Sequence, residues 1–125
     1  MTVTALNQLV KDYIEAWSTT DAQYRKELIE RVYSVSADFY ANEPGDEAVH
    51  HHGWEAIFRN ITQVNERLVV GNKLITERTD YAENHNTLRV QWKMKTPDDN
   101  IAVSGMNFLQ LDTLGRVIGD YIFIN

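Results

Sequence analysis

The chain has 125 residues, 43% hydrophobic and 24% charged, with a formal net charge of −6, a balance that suits one soluble domain able to bury a core without covalent staples. It has no cysteine, which excludes a disulfide framework, a thiol nucleophile and a zinc–thiolate site. The acidic balance disfavours nucleic acid or an anionic membrane as partner. No apolar run approaches membrane-spanning length, and Met1 leads straight into an amphipathic pattern with no secretory leader. A cytoplasmic protein is expected.

Leu6, Leu9, Val10, Tyr13, Ile14 and Trp17 recur at helical spacing and predict a first helix, with Thr4 as its cap. Ser18-Thr19-Thr20-Asp21 breaks it, and Asp21 has the chemistry to cap a second helix that turns Tyr24, Leu28, Ile29, Val32 and Tyr33 inward. A short strand is expected over Ala37 to Ala41. Asn42-Glu43-Pro44-Gly45-Asp46-Glu47 reads as a solvated loop, and Ala48 to His52 as another extended piece. Gly53 then opens a third helix, with Trp54, Ile57, Phe58, Ile61 and Val64 on its apolar side. After Leu68 the period changes to two, so Val69 to Tyr81 is expected to be a long strand. Leu88, Val90, Trp92 and Met94 alternate with Arg89, Gln91, Lys93 and Lys95 in the clearest strand pattern of the chain.

The final stretch, Ile101 to Asn125, reads as two long strands joined at Asp112-Thr113-Leu114-Gly115. Ile101, Val103, Asn107, Leu109 and Leu111 share one face of the first strand, and Ile118, Asp120, Ile122 and Ile124 one face of the second. Asn107 and Asp120 each interrupt an apolar row. A polar group buried there without a partner costs about 1–3 kcal/mol, so each marks a turned-out position or a site. Helices first and strands last predict a single α+β domain over residues 1–125, helices packed on one face of a mostly antiparallel sheet.

This order of elements resembles the NTF2-like superfamily, a cone-shaped (cystatin-like) fold of three N-terminal helices on a curved sheet around a pocket. The nearest branches look like the SnoaL-like cyclases and the ketosteroid isomerases. The carriers are Tyr13-Ile-Glu-Ala-Trp17 followed by Asp21, Ser36-Ala-Asp-Phe-Tyr40, Gly53-Trp-Glu-Ala-Ile57, and the end from Asn107 to Tyr121. In the isomerases the resemblance places Tyr13 at an oxyanion-hole tyrosine and Asn107 at the second donor. It places Ala41 at the base position, with Asn42 and Glu43 beside it; a loop shift could bring Glu43 in.

The resemblance implies that the Ile118 row faces the cavity, where desolvation would raise the pKa of Asp120 into the range of acid–base work. If the strand faces the other way, Asp120 is a surface residue. His50 and His52 share a strand face and offer a proton carrier at the pocket mouth. No third residue has ligand spacing with them, so no metal is assigned. Trp17, Tyr40, Trp92, Met94, Val103 and Ile122 are expected to line the pocket. No cofactor is implied. The leading reading is a small-molecule pocket protein, possessing isomerase- or cyclase-type chemistry on an apolar carbonyl compound. In it Asp120, His50 or His52 moves a proton while Tyr13 and Asn107 hold an oxyanion. The rival reading is a non-catalytic binding or association module. Met106, Phe108, Tyr121 and Phe123 on the opposite faces predict a homodimer.

Overall fold

A computed structural model describes residues 1–41 and 49–125. The first apolar stripe forms α1 (Val3–Ser18), capped by Thr2, whose hydroxyl accepts from the Ala5 amide; the expected cap, Thr4, lies inside the helix. Asp21 caps α2 (Ala22–Val32) as its side chain accepts from the amides of Gln23 and Tyr24. The second helix stops one residue earlier than its apolar pattern suggests. Tyr33 is the first residue of β1 (Tyr33–Ala41), because the following Ser34-Val35-Ser36 favours extended backbone over helix. β2 (Val49–His52) leads into α3 (Gly53–Asn65), and Gly53 takes φ 85° at this junction, a left-handed value that a side chain resists.

The expected strand from Val69 is instead a π-helical turn, Glu66–Gly71, and β3 begins only at Ile75 (Ile75–Asn84). The run Leu68-Val69-Val70 is too short for periodicity to tell an extended segment from a wide helical turn. β4 (Thr87–Lys95), β5 (Ile101–Leu111) and β6 (Val117–Ile124) follow. The six strands form one sheet in the order β2-β1-β6-β5-β4-β3. Every neighbouring pair is antiparallel except β1 and β6, which run parallel. The fold is therefore α+β, three helices on one face of a mostly antiparallel sheet.

The core lies between them. Leu28, Ile29, Ile57 and Ile61 from the helices meet Leu88, Val90 and Leu109 from the strands, all at 1% exposure or less. Each such side chain contributes about 1.5–3 kcal/mol by leaving water. Arg25 ties the helical layer together from inside: its guanidinium donates to the Ala16 and Thr19 carbonyls and to the Thr62 hydroxyl. A register shift between β5 and β6 changes which residues face inward at the start of β6. Val117 is fully buried and Ile118 is 39% exposed, so the inward row expected from Ile118 begins with Val117 and resumes at Asp120.

Candidate functional site

Between the helical layer and the sheet lies a cavity of about 570 Å³. Its walls are mainly apolar, from Trp17 on α1, Phe39 on β1, Trp92 and Met94 on β4, Val103 on β5 and Ile122 on β6. Polar atoms enter at its deep end from Tyr13 and Asn107. Behind these two, at zero exposure, stands Asp120.

Three elements converge on that carboxylate. Tyr13, from the middle of α1, donates its hydroxyl to Asp120 Oδ2 at 2.9 Å. Tyr33, at the head of β1, donates to the same oxygen at 2.6 Å. Asn107 Nδ2 donates to Oδ1 at 2.8 Å. The orientation of the Asn107 amide is fixed by Trp92, whose indole Nε1 donates to Asn107 Oδ1 at 2.8 Å. Trp92 reaches it by lying over Gly105, its cross-strand partner; a Cβ there would stand 2.7 Å from Trp92 Cζ2 and 2.6 Å from the Phe123 carbonyl. The second N–H of the Asn107 amide has no protein acceptor among the described residues, and this amide borders the cavity.

The electrostatics follow from burial. Desolvation pushes the Asp120 carboxyl up to about 6, against the hydrogen bonds from Asn107, Tyr33 and Tyr13 that favour its ionised form. Burial likewise raises both phenols well above their ordinary range, and the neighbouring Asp120 charge adds to it. The buried Trp17 indole N–H has no hydrogen-bond partner among the described residues.

The other expected site residues lie elsewhere. His50 Nε2 and His52 Nδ1 each approach Asp38 Oδ1 at 2.8 Å, on the face of β1 and β2 opposite to Phe39. They are therefore not at the mouth of the cavity, because Phe39 takes the inward position in β1 and alternation turns Asp38 and its cross-strand partners outward. The same parity corrects Tyr40, which was expected to line the pocket. It stacks instead on His50 at 4.6 Å and on Tyr121 at 4.9 Å between ring centroids, on the outer face. No group of three or more metal-ligating side chains occurs among the described residues. Ala41 borders the cavity, while Glu43 lies outside the described residues.

No family model matches the chain, and no curated protein sequence matches it. Solved structures do. One is a candidate isomerase of the SnoaL-like family from Agrobacterium tumefaciens, 18% identical, with a TM-score of 0.79 over 94% of this chain and 95% of that one. A SnoaL-like protein of unknown function from Burkholderia thailandensis is 11% identical, with a TM-score of 0.73 over 100% and 98%. A candidate polyketide cyclase from Sinorhizobium meliloti is 18% identical, with a TM-score of 0.68 over 98% and 100%. The fold is NTF2-like. Within this fold, sequence reasoning missed Tyr33, since its apolar context placed it on α2, and it missed the cavity-lining Phe39, Asn60, Gln63 and Arg67. The signal that could have found Tyr33 is the break in helix propensity directly after it, at Ser34-Val35-Ser36.

Proposed function

We propose that this protein binds a small, apolar, cyclic carbonyl compound and catalyses proton transfer at the carbon beside the carbonyl. The observation that carries this reading is the pairing of two cavity-lining polar groups, Tyr13 and Asn107, with one enclosed carboxylate poised near neutrality. Similar structures described as a candidate isomerase and a candidate polyketide cyclase support it, since isomerisation and cyclisation of such compounds both pass through loss of a proton next to a carbonyl. In the proposed step the substrate C–H proton passes to the Tyr13 oxygen as the Tyr13 proton passes to ionised Asp120. The negative charge moves from the carboxylate to the substrate oxygen, where the free Asn107 N–H holds it. Tyr13 thus relays the proton, because its own hydroxyl proton already points at Asp120. His50 and His52 take no part.

Hydrogen exchange tests this without knowledge of the substrate. Cyclic ketones such as 2-tetralone, screened for binding by quenching of tryptophan fluorescence, are incubated with the protein in deuterated buffer. Exchange at the α-carbon should be accelerated and should rise with pH through about 6 as Asp120 ionises. Asp120→Asn and Tyr13→Phe should each lower it by roughly a hundredfold, the contribution of a positioned proton carrier. Ketones that fill the cavity yet exchange no faster than with Asp120→Asn would overturn the catalytic reading.

A second reading, a dimeric association module, is favoured by the outer face. Phe108, Tyr121, Tyr40 and His50 form a continuous aromatic strip across β5, β6, β1 and β2, and Phe123 beside it is 55% exposed. Sedimentation of a monomer at micromolar concentration would reject it.

A further inference from the structure

The polar character of the cavity changes from its deep end to its mouth. Tyr13 and Asn107 are buried, while Arg67 and Gln63, which line the same cavity, are exposed. Among the described lining residues Arg67 alone carries a charge. It sits on the π-helical turn Glu66–Gly71, which sets three consecutive residues, Arg67, Leu68 and Val69, against the cavity. Such turns recur where a helix is reshaped to serve a site. No carboxylate among the described residues lies within ion-pairing distance of Arg67. Gln63 and Asn60, one and two turns earlier on α3, bring amide groups to the same wall.

We propose that the ligand is amphipathic, with an apolar body that fills the cavity and a carboxylate bound at the mouth by Arg67, assisted by Gln63 or Asn60. A guanidinium offers a planar fork that fits the two oxygens of a carboxylate. One guanidinium with neutral amides suits a monoanion, since a phosphate dianion would leave charge uncompensated. Asp120 repels an anionic group at the other end, so the cavity orients such a ligand with its carboxylate outward and its carbonyl toward Tyr13 and Asn107. The substrate class is then an oxo acid in which an apolar ring or chain separates ketone from carboxylate. This inference rests on the reading that the cavity binds a small molecule.

The test compares 2-naphthylacetate with its neutral isostere 2-naphthylacetamide, titrated into the intact protein with Trp17 and Trp92 as fluorescent reporters on the cavity wall. The wild type should bind the acid about three- to tenfold tighter than the amide, a preference that shrinks with added salt because Arg67 is exposed. Arg67→Gln should keep its affinity for the amide and lose the preference; Arg67→Lys should keep part of it. Equal binding of both probes by the wild type, or a preference that survives in Arg67→Gln, overturns the inference and leaves the cavity reading standing. Binding of neither probe removes both.

Discussion

Asp38 and Asp120 lie one residue apart across the parallel β1–β6 pair, where Asp38 aligns with Gly119 and Phe39 with Asp120. Alternation puts them on opposite faces of one sheet, and their carboxyls have moved in opposite directions. Asp38, with a third of its side chain exposed, is lowered by hydrogen bonds from His50 and His52. Asp120 receives three donors and is nonetheless raised to about 6, because complete burial outweighs them. Counting hydrogen bonds therefore predicts the direction at Asp38 and misjudges it at Asp120. What separates a surface cluster from a candidate proton carrier is the access of water, and one step of register decides it.

Removing the charge at Asp120 should break this contrast most strongly. Its folded-state pKa of about 6 exceeds an unfolded value near 3.8, so the folded state binds the extra proton. Its contribution is favourable below the unfolded value and is lost as pH rises through about 6. In Asp120→Asn that loss is absent, because an amide does not ionise over this range. Urea unfolding should show the wild type losing about 2 kcal/mol relative to the variant between pH 4 and 7. A parallel pair of curves would mean that Asp120 titrates as an ordinary carboxylate.

Tyr33→Phe sharpens the comparison at smaller scale. It removes the 2.6 Å donor, which does not border the cavity, and leaves Tyr13 and Asn107 in place. The Asp120 carboxyl should move further up, since a bond favouring its ionised form is lost, and the fold should weaken by about 1 kcal/mol. Carbon-13 NMR of the carboxyl checks the first outcome; a downward shift would contradict it. At the outer site, Asp38→Asn should change stability by no more than about 0.5 kcal/mol at neutral pH, the usual size for an exposed ion pair. The stability Asp38 does supply is present above its unfolded pKa and lost as pH falls through its lowered folded value. A loss of more than 1 kcal/mol in thermal melts would show that the cluster holds the β1–β2 edge together.

Much of the fold was legible because its period is long and clean: the stripe on α1, the Asp21 cap and the alternation of β4 each state their element locally. Asn107 and Asp120 were legible as interruptions of apolar rows. Residues whose position depends on distant partners were not. Asp38-Phe39-Tyr40 has an aromatic on each face, so alternation alone cannot say which of the two rings turns inward. Ile118 and Val117 are equally apolar, and only the register shift against β5 selects Val117. The support that Gly105 gives Trp92 is invisible in either segment, since it exists only once β4 and β5 are paired.

The parallel pairing of β1 with β6 also bears on how the chain assembles. Tyr13 and Asp120 are 107 residues apart, and Tyr33 and Asp120 are 87 apart. Contacts of such separation carry a loop-closure cost that must be met before they return any stability, and they form late in folding. Until β6 inserts between β1 and β5, the two phenols have no carboxylate and Asp120 is hydrated with an ordinary acidity. The enclosed carboxylate and its three donors are thus assembled by the same event that closes the sheet, and a chain whose β6 is not yet inserted lacks them.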